Sequence, residues 1–155
     1  GATQDVVFSL GLVEHFVDPA PILGAFRALV RDGGTVVTMV PNLVGVWGAL
    51  QARLDPEILA VHIRYAPDAL DRVHMDSGFD VVAPARYFGI FGPLVLNAPK
   101  LAQRFPRAHR AVTAALWGLQ QAVAWTVGAT LGPRGESRAF SSHIIGVYSR
   151  RAPRV

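Results

Sequence analysis

Cysteine is absent from the 155 residues, which excludes a disulfide scaffold and any thiolate metal site and leaves the redox compartment open. Charge is also scarce. Only 17% of the residues are charged against 51% hydrophobic, a balance that excludes an intrinsically disordered chain and allows one modest globular core. Lysine is almost missing: apart from Lys100 the fifteen cations are arginines. They are scattered, so the net charge of +4 and the basic pI near 10.3 do not build the patch that a nucleic-acid reader needs, and no nucleic-acid partner is expected. Arg104, Arg107 and Arg110 have helical spacing, which fits a solvated face or an anchor at a membrane surface. No secretory leader is visible, and the first residue is a glycine that leads almost directly into a strand pattern. The expectation is a chain that begins inside a longer domain.

The residues that are present describe alternating strands and helices. Asp5-Val6-Val7-Phe8-Ser9-Leu10 is a β-branched, apolar run suited to a central parallel strand covered on both faces. Asp18 can cap a helix opened by Pro19, with Ile22, Leu23, Phe26, Leu29 and Val30 recurring on one face. Arg31-Asp32-Gly33-Gly34 then reads as the turn that ends this helix and releases a second buried strand, Thr35 to Val40, closed by Pro41-Asn42. A right-handed crossover makes the two strands parallel neighbours. Pro67 opens another helix with Leu70 and Val73 on its core face, Gly78 ends it, and Phe79 to Val82 begins a further strand. Between them, a short helix is expected around Trp47 to Leu54.

Ala98 to Leu131 reads as helical, and Ala111 to Leu131 carries no charge. That length approaches a membrane span, but Gln120, Gln121, three threonines and two glycines dilute it. A buried or lid helix is the expectation, with a membrane anchor as the alternative. Ser141 to Ser149 is the last strand. The fold class is therefore α/β, an open doubly wound sheet with a helical insertion before its final strand.

Ligands of such sheets bind beyond the carboxyl ends of the strands. Those positions are Ser9 to Phe16 and Pro41 to Trp47. The first holds a hydroxyl, a glycine, a carboxylate and an imidazole, and His15 is the natural general base because imidazole changes charge near neutral pH. The alternative is that Glu14 or His15 only caps the next segment. His62 is a second base candidate, while His74, His109 and His143 are assigned to packing or the surface. No His/Asp/Glu group has metal-ligand spacing along the sequence, so no metal is expected.

The run Asp5 to Phe16, the amphipathic helix, Arg31-Asp32-Gly33-Gly34, the valine-rich strand and Val40-Pro41-Asn42 together resemble class I S-adenosylmethionine (SAM)-dependent methyltransferases. They are most similar to the branch of the ubiquinone-biosynthesis O-methyltransferases and related small-molecule enzymes. In that family the matching pieces are the fourth strand with its acidic-histidine sequel, the fourth helix, a Pro-Gly-Gly turn and the fifth strand ending in Pro-Asn. Ala66 to Phe79 resembles the helix before the sixth strand, Ser141 to Ser149 the seventh strand, and 98–131 a variable insertion or lid.

The resemblance implies SAM as cofactor and a C-terminal half-domain spanning 1–155. It places Ser9, Leu10, Gly11 and Glu14 at the cofactor, Pro41, Asn42 and His62 at the substrate, and His15 as the possible proton acceptor. Neither the family's acidic-x-Gly-x-Gly-x-Gly loop nor the acidic residue that binds the ribose occurs here, so the isolated chain is expected to be inactive. The acceptor would be a small molecule, with the uncharged helix, Trp117, Trp125 and Phe91 suggesting a lipophilic one. Those aromatics could equally fill the interface between helices and sheet. The expected location is cytoplasmic, with peripheral membrane contact as an alternative. A catalytically inactive remnant or partner subunit, and a protein anchored by the 111–131 helix, are the competing readings.

Overall fold

The computed structural model describes residues 3–151. The chain divides into two compact units, one comprising Gly1–Val40, His62–Arg86 and Ile144–Val155, the other Pro41–Val61 and Tyr87–His143.

The first unit holds most of a four-stranded sheet. Strands β1 (Gln4–Leu10), β2 (Val30–Pro41), β3 (Phe79–Phe88) and β4 (His143–Arg150) lie in the order β1-β2-β4-β3. The last strand is thus inserted beside the second. β1 and β2 are parallel, with Val6 opposite Thr35 and Leu10 opposite Met39, as the βαβ pattern requires. Helix α1 (Ala20–Leu29) is the crossover. It starts one residue later than the sequence suggests: Asp18 Oδ1 accepts the Ala20 N–H at 3.0 Å, and Pro19 is the cap. Leu23, Phe26 and Val30 are buried, whereas Leu29 is exposed.

Two local expectations need correction. Arg31 to Gly34 is no free turn between helix and strand. β2 already begins at Val30, opposite Gln4, and two steps along β1 match five along β2 before register resumes at Val6–Thr35. Gly33, at φ +69°, allows the extra residues to loop out as a bulge. Nor is β1 a central, doubly covered strand. It lies at the sheet edge, and Val6, Phe8 and Leu10, which share one face, are 44%, 68% and 61% exposed. Thr35, Val37 and Met39, their partners on β2, are only half-buried, while Val36, Thr38 and Val40 on the opposite face are buried.

The buried face is tied to helix α4 (Pro67–Asp76) by a polar network in which every strand but β1 takes part. His74 is fully buried. Its Nδ1–H donates to Leu70 O at 2.8 Å and its Nε2 accepts from the Thr38 hydroxyl at 2.9 Å, which fixes the neutral tautomer. The ring stacks on Tyr148 at 3.7 Å, and the Tyr148 hydroxyl donates to Asp71 Oδ1 at 2.9 Å. Asp71 also accepts the Ala85 N–H at 3.0 Å. The packing role read for His74 from sequence therefore carries hydrogen bonds as well.

The second unit contains α2 (Val46–Leu54), α3 (Pro56–Ala60), α5 (Pro99–Arg104) and α6 (Pro106–Leu131). Asn42 organises its loops by donating from Nδ2 to Arg138 O and Ser141 O, both at 2.9 Å. Trp47 Nε1–H donates to Phe140 O at 2.8 Å, and its ring meets Phe91 edge-on at 5.1 Å. Gln51 exchanges two 2.8 Å bonds with the Asn97 backbone. The helical stretch expected from 98 to 131 is broken at Phe105, because Pro106 excludes the helical region for the residue before it. A buried α6 is also overturned, since none of its residues is buried and Trp117 and Trp125 are 57% and 77% exposed. Among the described residues no helix is long and apolar enough to cross a membrane.

Two outcomes follow from the first unit. Its bare strand edge and apolar face should make the 155-residue chain self-associate, and Phe8→Lys should shift it toward monomer in sedimentation velocity. A wild-type monomer that unfolds cooperatively would contradict this. Burial lowers the His74 pKa from 6.5 to about 4. The unfolded chain therefore binds the extra proton between those values, and stability, complete above pH 6.5, falls as pH drops toward 4. The loss is of order 3 kcal/mol at its limit. Denaturant titrations across that range should show a shallower acid loss for His74→Gln.

Candidate functional site

The carboxyl end of β1 collects most of the residues singled out from sequence. Leu10 ends the strand, and the Gly11 N–H still reaches back to Met39 O at 2.9 Å. Gly11 then takes φ +65°, a left-handed conformation that turns the chain into the single 3-10 turn Val13–His15. Gly11 is thus a turn-maker whose required conformation explains its residue type. The turn buries Val13 and Glu14 and leaves His15 exposed.

Glu14 is 2% exposed, and its Oε2 has no hydrogen-bond partner. Burial pushes its carboxyl above the usual carboxylate range, opposed by a backbone hydrogen bond and by the nearby imidazoles of His15 and His62. The segment 62–65 closes the site from the other side. Ile63 N–H donates to Glu14 O at 2.6 Å, and the His15 and His62 ring centroids lie 4.3 Å apart. One ligand-type atom from each of Glu14, His15 and His62 falls within 4.8 Å of the others. Sequence spacing concealed this group, because His62 arrives from a segment far along the chain. Tyr65, which sequence reasoning missed, is buried nearby, and its phenol pKa is raised by burial and by Glu14.

Ser9 is the second unsatisfied group of this strand end. It is 2% exposed, with its Oγ unpartnered. Buried polar atoms without partners cost about 1–3 kcal/mol each, so two at one strand end mark a place where a ligand can supply the missing bonds. Leu10, by contrast, is exposed.

Pro41 and Asn42 belong to the second unit. Pro41 is the last residue of β2, and both amide hydrogens of Asn42 are used on loop carbonyls, leaving Oδ1 buried and unpartnered. The same unit contains an apolar cavity of about 410 Å³ lined by Leu94, Leu96, Leu101, Phe105, Val112 and Leu116. The helical pattern gave its apolar residues but not their convergence, which depends on the break at Phe105.

No protein-family model matches the sequence, and no curated protein matches it. Solved structures do. The chain is 18% identical to a chain in a complex of a methyltransferase activator and a methyltransferase from Haloferax volcanii, covering 99% of this chain and 56% of that one with a TM-score of 0.53. A SAM-dependent methyltransferase from Archaeoglobus fulgidus is 13% identical over 95% of this chain and 59% of its own, with a TM-score of 0.52. A cyclopropane synthase from Mycobacterium tuberculosis is also 13% identical, over 96% and 56%, with a TM-score of 0.53. The fold is thus that of class I SAM-dependent methyltransferases, and the chain spans little more than half the length of these structures.

The unsatisfied Glu14 carboxyl predicts a stability effect with a definite sign. A group whose folded pKa is raised above 4.5 favours folding at low pH and opposes it increasingly as pH rises through the folded value. Glu14→Gln should therefore melt above wild type at neutral pH, with the advantage shrinking toward pH 4.5. A lower neutral-pH melting temperature for Glu14→Gln would contradict the burial argument.

Proposed function

We propose that this chain is the carboxyl-terminal part of a SAM-dependent methyltransferase that acts on a small, lipophilic acceptor in the cytoplasm, in the branch resembling the ubiquinone-biosynthesis O-methyltransferases. The observation that carries the reading is the pair of unsatisfied buried atoms, Ser9 Oγ and Glu14 Oε2, at the strand end where open α/β sheets hold their ligands. The open face of Val6, Phe8 and Leu10, at the free edge of the sheet, supports a partial domain whose remaining strands and helices lie in another segment.

The residues fit one side of a SAM site. Ser9 offers a hydroxyl, Gly11 an approach free of side chain, and Glu14 a carboxylate, while the glycine-rich loop and ribose-binding acid would have to come from elsewhere. SAM, when bound, supplies a sulfonium methyl for in-line attack by the acceptor. The protein's task is then alignment and exclusion of water. His15, exposed beside the buried Glu14, would accept the proton of an acceptor that must lose one. Taken by itself, the second unit carries an apolar cavity of a kind that suits a lipophilic molecule. A second reading is an inactive partner subunit.

Titration calorimetry with S-adenosylhomocysteine separates these readings. The complete product of the gene should bind it with micromolar affinity, the 155-residue chain should not, and Ser9→Ala should weaken binding by roughly tenfold. His15→Gln should lower turnover by about 100-fold and leave cofactor binding unchanged. A complete gene product that binds no S-adenosylhomocysteine would leave only the partner reading.

A further inference from the structure

We propose that Glu14, His15 and His62 form a binding site for one divalent transition-metal ion of the zinc class. Two imidazoles and one carboxylate are a recurring ligand set for zinc, with solvent in the fourth position. Three features of the site match that chemistry.

The ligand-type atoms already lie within 4.8 Å of one another. A tetrahedral ion with bonds of about 2.0 Å holds its ligands about 3.3 Å apart, so modest side-chain rotations complete the shell. Glu14, one of the three residues of the cluster, is nearly inaccessible to solvent, and its Oε2 has no hydrogen-bond partner. A bare carboxylate oxygen in that position is costly, and a bound cation would supply the missing interaction. The burial gradient has the required direction as well. Glu14 is buried, His62 half-buried and His15 exposed, so an ion would have protein on one side and solvent on the other, with an open position for water or a ligand oxygen.

The backbone also supports the arrangement. The 2.6 Å bond from Ile63 N–H to Glu14 O fixes the segment carrying His62 against the turn carrying Glu14 and His15. The two rings, with centroids 4.3 Å apart and tilted by 56°, lie close enough for each to offer one nitrogen to a shared ion. Oxygen-preferring ions such as magnesium are disfavoured by a set with only one carboxylate. When the metal is bound, the lone pair of His15 is engaged, so the proton-accepting role proposed above belongs to the metal-free protein. The site does not depend on methyl transfer: a protein that binds zinc but never SAM would leave it intact.

The test titrates the 155-residue chain with Zn²⁺ against a chromophoric chelator, and with Co²⁺ followed by its visible absorption. The expected result is one ion per chain, intense tetrahedral-type Co²⁺ bands, and a Zn²⁺-dependent rise in melting temperature. Glu14→Gln and His62→Ala should each weaken binding by at least tenfold, while His109→Ala, in the other unit, should leave it unchanged. Glu14→Gln keeps the shape of the side chain, so its loss of binding cannot be ascribed to a cavity. Failure of the wild type to bind Zn²⁺, or equal binding by wild type and both cluster variants, would overturn the proposal.

Discussion

The stacked pair of His74 and Tyr148 is the interaction on which the sheet unit depends. Two polar aromatic rings with no exposed surface are affordable only because each polar atom has a partner: Leu70 O and the Thr38 hydroxyl for the imidazole, Asp71 for the phenol. Asp71 then reaches the Ala85 N–H, so one helix is bonded to β2, β3 and β4 at once. Such a network has a single satisfied arrangement. Sliding α4 by one residue would strand several buried donors and acceptors, which makes register a consequence of hydrogen bonding as much as of packing. The burial that secures the network also keeps His74 neutral.

β1 lies outside this network, and the contrast is informative. Among the described residues its backbone is paired along β2 alone, and the face formed by Val6, Phe8 and Leu10 has apolar side chains in water. At the end of the same strand, Ser9 and Glu14 keep buried polar atoms without partners. Elsewhere in the unit the polar side chains His74, Thr38 and Tyr148 are carefully matched. The exposed apolar face and the unpartnered polar atoms thus lie along β1 and the turn that follows it.

Much of the fold was legible in local chemistry. The β-branched runs gave the strands, proline and aspartate marked the start of α1, and the crossover rule made β1 and β2 parallel. The errors have physical causes. Arg31 to Gly34 has the composition of a turn, but Gly33 at positive φ lets the strand begin early and bulge. β1 has the composition of a central strand, a property of the sheet it is suited to, and composition cannot say whether a neighbour is present. The residues Ser9, Gly11, Glu14 and His15 could be picked out because they stand at the carboxyl end of a strand in an open sheet. His62 could be suspected only as an isolated histidine, and Tyr65 not at all, because sequence distance hides the hydrogen bond from Ile63 to Glu14 that delivers this segment to the site.

The central claim is that the carboxyl end of β1 is one side of a cofactor site and its bare flank an internal edge of a larger sheet. The most direct measurement is a crystal structure of the complete gene product with S-adenosylhomocysteine. The account predicts a further strand hydrogen-bonded along Gln4–Leu10, helices over Val6 and Phe8, and the ligand bonded to Ser9 Oγ. A structure in which β1 remains an edge, or in which the ligand binds away from Ser9 to Glu14, would contradict it.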